Sequence, residues 1–98
     1  MENRLQGDMK SRITEKLARG LQPILLEVVN ESAFHKGHAG DDGSGETHFH
    51  VKVVSSVFEG VSRVERQRMV FALVSEEMAG GIHALSIFAA PPSEYERM

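Results

Sequence analysis

Five histidines and no cysteine occur in a chain of 98 residues, and the histidines fall into two separated segments. One segment runs from Phe34-His35-Lys36-Gly37-His38-Ala39-Gly40 through glycines and aspartates into Glu46-Thr47-His48-Phe49-His50-Val51. The other is Gly80-Gly81-Ile82-His83-Ala84-Leu85-Ser86-Ile87. Imidazole is the commonest transition-metal ligand and the side chain that titrates nearest neutral pH. This spacing offers ligands from one glycine-rich loop and from one glycine-hinged strand start. The chain has no thiol to complete a metal centre, so a partner would have to supply it. Each histidine also has an ordinary reading from residue type and spacing alone. His35 and His38 are polar loop residues. His48 and His50 sit on the wet face of a strand. His83 shares strand parity with Leu85 and Ile87, as a half-buried structural histidine does.

The length allows one modest core. Composition is that of a globular protein, with 41% hydrophobic and 26% charged residues. A formal charge of −3 argues against a dominant nucleic-acid surface but leaves room for a local basic patch. The absence of cysteine excludes disulfides, thiolate nucleophiles and iron–sulfur ligation by the chain's own thiols, and it fits a reducing compartment. No apolar stretch approaches the ~18 residues of a membrane span. Met1-Glu2-Asn3-Arg4 has no apolar core of a signal peptide, and its acid disfavours a transit peptide. The expected location is the bacterial cytoplasm.

Positioning these histidines falls to a short series of elements. Leu5, Met9, Ile13 and Leu17 lie four apart and predict one apolar stripe on a helix over 7–19, stopped by Gly20 and Pro23. Ile24 to Asn30 is apolar and partly β-branched, a strand expected to be buried on much of both faces. Residues 33–46 show no period and read as a long loop. Thr47 to Ser55 alternates, with Phe49, Val51 and Val53 on one side and His48, His50 and Lys52 on the other. If the loop is a hairpin, this strand is antiparallel to the first. Ser62 and Glu65 form a capping box for a helical stretch to Ala79, with a break expected near Arg66. Its inward residues are Met69, Val70, Leu73, Val74 and Met78. Gly80-Gly81 ends it, and a third strand over Ala84 to Ala89 stops at Pro91-Pro92. The order α-β-β-α-α-β predicts an α+β fold, a three-stranded sheet with helices packed on one face. The domain is expected to cover 1–98, with its core at about 8–92, the loop at 33–46 and a short tail at 93–98.

In the same order the chain carries Glu27-Val28-Val29-Asn30-Glu31-Ser32, Gly45-Glu46-Thr47-His48-Phe49, Val53-Val54-Ser55 and Phe58-Glu59-Gly60-Val61-Ser62. Arg66-Gln67-Arg68 and Glu76-Glu77-Met78-Ala79-Gly80-Gly81-Ile82-His83-Ala84-Leu85-Ser86-Ile87 follow. In these strings and their spacing, over about residues 8 to 92, the chain resembles the BolA family. That resemblance implies a fold related to the type II KH domain and a partner, a monothiol glutaredoxin with a C-G-F-S motif. It further implies that the two proteins share a [2Fe-2S] cluster, with thiols supplied by the glutaredoxin and glutathione. His83 would be a ligand from this chain, together with a loop histidine. Counting forward from Asn30-Glu31-Ser32 gives His35; counting back from Glu46-Thr47-His48-Phe49 gives His38. The isolated chain is expected to hold no cluster. Gln67 departs from the pattern, since many relatives carry histidine there.

Some BolA relatives regulate transcription, so DNA binding is the alternative. His48, Arg63, Arg66, Arg68 and Lys52 are the candidate contacts to a partner or to nucleic acid. Gly37-His38-Ala39-Gly40 matches the G-x-x-G of KH domains, but it lies between strands, whereas the KH motif joins two helices. No nucleophile motif, phosphate-binding loop or dinucleotide pattern is present, and the chain is not expected to be an enzyme.

Overall fold

The computed structural model describes residues 9–32 and 47–97. Helix α1 spans Met9–Leu21 and buries Met9, Ile13, Leu17 and Leu21. The helix therefore runs two residues past the expected end at Arg19. Leu21, one turn beyond Leu17, still gains by burial, so the helix passes through Gly20. Gln22 takes the left-handed conformation at φ 45° instead, its N–H on the Ala18 carbonyl at 3.1 Å, and Pro23 follows. Gly20 has a packing role: a Cβ there would lie 2.7 Å from both methyl carbons of Leu73.

Strand β1 is Leu25–Asn30 and strand β2 is His48–Val54. They pair antiparallel, with Val28 opposite Val51 and Val29 opposite His50. The expectation that β1 is buried on both faces fails: only Val28 is buried, and Ile24 and Val29 are exposed. β1 is an edge strand, and among the described residues no helix covers its outward face. A 3-10 turn at Ser56–Phe58 drops Phe58 fully into the core. Helix α2, Arg63–Leu73, starts at Ser62, whose hydroxyl accepts the Glu65 N–H at 3.2 Å. The Glu65 carboxylate turns to Arg68, so the cap is one-sided rather than the reciprocal box expected.

The helical break falls at Val74, not near Arg66. Val74 leaves helical geometry at φ −112°, ψ 25° and is fully buried. Helix α3, Ser75–Ala79, then starts without a side-chain cap. Gly80 and Gly81, the latter at φ +140°, turn the chain into strand β3, Ala84–Ala90. β3 runs parallel to β2, with Phe49 beside Leu85 and Val51 beside Ile87. The sheet order is β1-β2-β3. Val28, Phe49, Val51, Val53, Ile13, Leu17, Phe58 and Val70 meet in one core between the sheet and α1–α3. A fourth, one-turn helix α4, Pro92–Tyr95, begins the short tail expected at 93–98. Tyr95 lies against Phe88 and below Lys52, whose Nζ is 5.2 Å from the ring centroid, on the sheet face away from α1–α3. Among the described residues no helix is long and apolar enough to cross a membrane.

Candidate functional site

The chemistry-bearing side chains gather where the start of β2 meets the start of β3. The organising group is Ser32, 5% exposed. Asn30 Oδ1 accepts the Ser32 N–H at 2.9 Å, a local side-chain turn that ends β1. The Ser32 hydroxyl in turn accepts the N–H of Thr47 at 2.9 Å and that of His48 at 3.0 Å. One hydroxyl thus ties position 32 to positions 47 and 48, and fixes both described ends of the intervening segment. Thr47, 1% exposed, passes the order on. Its carbonyl accepts the N–H of His83 at 2.7 Å and of Ala84 at 3.1 Å.

His48 and His83 are brought together by the parallel register that sets His48 beside Ala84. Their ring centroids lie 5.4 Å apart, tilted by 47°. They differ in exposure. The His48 ring is buried at 7% and shares a 2.8 Å hydrogen bond between Nδ1 and the Thr47 hydroxyl. His83 is exposed. Two expectations are corrected here. His48 does not lie on a wet face, because the chain entering β3 closes over that end of the sheet. His83 is not half-buried despite sharing parity with Leu85 and Ile87, because it precedes the first residue of the strand. An exposed imidazole with a fixed backbone can meet an incoming metal group, and the buried imidazole behind it limits where that ring can turn. His35 and His38 lie outside the described residues, as does Gly37-His38-Ala39-Gly40.

His50 is removed from this pair. It bonds across the sheet, Nδ1 to the Ser86 hydroxyl at 2.6 Å, on the face that carries Lys52. Among the described residues no three of His, Cys, Asp and Glu are grouped so as to hold a metal ion. Two imidazoles alone fall short of the four terminal ligands that a [2Fe-2S] cluster takes.

The basic residues do not form one patch. Arg66 is 8% exposed and its guanidinium is consumed internally. It donates to the Val61 carbonyl at 2.8 Å, the Ala89 carbonyl at 3.1 Å and the Glu94 carboxylate at 3.1 Å. Gln67 donates to the Ile87 carbonyl at 3.2 Å. Together they cap carbonyls of β3, an edge strand that would otherwise invite pairing. This is the role of the residue that replaces histidine between the arginines. Arg63 stands 3.8 Å from Glu94, and Arg68 pairs with Glu65. Lys52 lies on the sheet face away from α2. Glu94 is held below the usual carboxylate range, first by the Arg66 hydrogen bond and then by the fields of Arg66, Arg63 and Arg97. Arg63 and Arg66 share Glu94 and Arg68 takes Glu65, so the field these three arginines present to a phosphate backbone is that of about one charge, not three.

Sequence reasoning quoted Ser32 and Thr47 without giving them a role. Asn30 and Ser32 flanking a long aperiodic stretch are a turn signal, and that signal was available. The convergence on Thr47 was not, because it depends on a strand thirty-odd residues away in sequence, joined in parallel register.

An α+β domain with a mixed three-stranded sheet, helices over one face and a paired imidazole at the junction of two parallel strands defines the class. A model of the BolA-like protein family matches residues 17–94, and the chain belongs to that family. It is 49% identical over 90 residues to BolA-like protein 1 of Bos taurus, covering 92% of this chain and 64% of the relative. It is 46% identical over 92 residues to the chloroplastic/mitochondrial SufE-like protein 1 of Arabidopsis thaliana, covering 90% of this chain and 25% of that protein. The chain therefore spans less than two thirds of the length of these curated relatives. The solved BolA domain of SufE1 from Arabidopsis thaliana superposes with a TM-score of 0.81 at 44% identity, covering 90% of this chain and 96% of that one. These relatives are animal and plant proteins, one of them organellar, and do not support the expectation of a bacterial source.

Proposed function

We propose that this protein is a non-enzymatic adaptor that binds a monothiol glutaredoxin and shares a [2Fe-2S] cluster with it, in cluster trafficking or in iron and redox sensing. The observation that carries the reading is the exposed His83 ring. It is fixed by its backbone to Thr47 and backed by His48 at 5.4 Å, in a chain with no cysteine. Such a site suits an iron that receives imidazole from one protein and thiolate from another. The second imidazole in this reading comes from His35 or His38. The occurrence of a BolA domain in a SufE-like protein fits an iron–sulfur context.

When bound, the cluster would supply electron transfer at a potential raised by imidazole ligation, as in Rieske centres. The chain's own contribution is to present His83 at the surface, to hold its backbone and to bias its ring through His48. Imidazole, unlike thiolate, can be protonated near neutral pH, which suits a cluster that must be released. DNA binding gains no support from the arginines, which are paired or buried.

The test is reconstitution. Mixed with a C-G-F-S glutaredoxin, glutathione, iron and sulfide, the protein gives a coloured heterodimer with a circular dichroism spectrum distinct from the glutaredoxin homodimer. His83→Ala abolishes the distinct spectrum. His35→Ala and His38→Ala each weaken it, and the double substitution weakens it beyond either. A stable chromophore on this chain alone, or an unchanged spectrum with His83→Ala, refutes the reading.

A further inference from the structure

Among the described residues two charges are buried outside the proposed site, Arg66 and Glu77, and Glu77 is the one with no exposure at all. Its side chain is fully buried in α3, at the α1–α3 contact. Oε1 accepts from Lys16 Nζ at 3.2 Å. Oε2 lies 2.9 Å from the same Nζ and 3.2 Å from Arg12 Nη2, in ionic contact without aligned hydrogen bonds. Arg12 and Lys16 are one turn apart on α1, so they close on the carboxylate as a fixed pair. Lys16 also reaches Glu76 at 2.7 Å. A buried ion cluster is a poor source of stability, since well-packed apolar residues in its place are often neutral or better. What it does supply is location, because a buried carboxylate must stay with its cations.

We infer that Glu77, clamped by Arg12 and Lys16, is a positioning residue that sets the His83 imidazole, an inference that rests on the reading of His83 as a cluster ligand. The backbone carries the connection. Helix α3 has only five residues and no side-chain cap, so its axis rests on the Glu77 clamp together with the packing of Val74, Met78 and Ile82 in the core. The Glu77 carbonyl accepts the N–H of Gly80 at 3.1 Å, shared with the Glu76 carbonyl at 2.9 Å, and alone accepts that of Ile82 at 3.4 Å. The turn that delivers His83 is thus built on the residue whose carboxylate is clamped. Gly81, at φ +140°, permits the reversal. Ile82 inserts into the core at 5% exposure, and the next N–H, that of His83, meets the Thr47 carbonyl. A shift of α3 along α1 moves Gly80 and Ile82 with it, and His83 turns away from His48.

The experiment separates location from stability in the isolated full chain. Arg12→Met, Lys16→Met and Glu77→Leu are combined, removing the charges while keeping the volume. Lys16→Met alone is made beside it, leaving Arg12 to hold Glu77. The probe is the NOE between the His48 and His83 ring protons, read with the thermal midpoint. The triple variant is expected to fold with a near-native midpoint and to lose about two thirds of the NOE, which is what the sixth-power law gives for a displacement of roughly 1 Å from a separation like the 5.4 Å between the ring centroids. Lys16→Met is expected to show a smaller loss of the same sign. In the glutaredoxin heterodimer, the triple variant's spectrum moves toward that of His83→Ala. An unchanged NOE in folded triple variant, or in Lys16→Met should the triple not fold, overturns the inference. Failure of the ligand reading shows separately: His83→Ala leaves the heterodimer spectrum unchanged, whatever the NOE does.

Discussion

Ser32→Ala tests whether one hydroxyl organises the site. The change removes the acceptor of two N–H groups, those of Thr47 and His48, at 2.9 and 3.0 Å. A weaker bond, from the hydroxyl to the His48 carbonyl at 3.4 Å, goes as well, but that carbonyl keeps the Glu31 N–H at 2.8 Å. Thr47 and His48 are 1% and 7% exposed, so water does not simply replace the lost acceptor. A buried donor left unsatisfied costs about 1–3 kcal/mol. Two such donors set a floor near 2 kcal/mol, and local relaxation that admits water keeps the total to about 2–3 kcal/mol. For a chain of this size each kcal/mol lowers Tm by about 4–8 °C, so the expected fall is roughly 8–24 °C. The assay is thermal and urea unfolding followed by circular dichroism, with the slope m compared between variants. Ser93→Ala is the control: its hydroxyl donates to Glu59 at 2.8 Å on the surface, and its loss should stay within about 0.5 kcal/mol. Because the Thr47 carbonyl holds His83, the amide resonances of His83 and Ala84 should also move in Ser32→Ala and not in Ser93→Ala. A Tm for Ser32→Ala within about 2 °C of the parent, at unchanged m, would show that the hydroxyl is not the organiser argued from the geometry.

Other perturbations have equally definite outcomes. Phe58→Ala empties a fully buried position and should cost about 3–5 kcal/mol in urea unfolding; a loss under about 1 kcal/mol would mean that the 3-10 turn does not anchor the core. Glu94 has a lowered folded pKa, so the unfolded chain binds more protons in that range and the stability Glu94 contributes is present above about pH 4–5 and lost as pH falls below it. The deficit of Glu94→Gln should therefore be larger at pH 7 than in acid, and a deficit that does not change with pH refutes the Arg66–Glu94 assignment. For DNA, Lys52, Arg63 and Arg68 are the candidate cations outside buried Arg66, so fluorescence anisotropy with random duplexes should give weak binding and a log–log salt slope no steeper than about −3. A slope near −6, or a tight sequence-specific site, would favour the nucleic-acid alternative.

The sequence by itself determined what depends on local period. The four-residue spacing of Met9, Ile13 and Leu17 and the alternation of Phe49, Val51 and Val53 record which side of each element is apolar, because a helix and a strand repeat at fixed intervals. Gly80-Gly81 and Pro91-Pro92 end elements for reasons written into their own backbones. The resemblance added the KH-related fold and singled out His83. Tertiary structure alone decided what depends on neighbours distant in sequence. Arg66 and Glu77 are residue types that belong in water by default. Both are buried because carbonyls, a carboxylate and cations tens of residues away satisfy them, and no local pattern announces that. The break at Val74, the antiparallel–parallel mixture and the exposure of His83 with burial of His48 have the same origin. Period fixes a face, but only the packing of one element against another fixes whether that face is covered, and the parallel register of β2 and β3 is what places one imidazole behind the other.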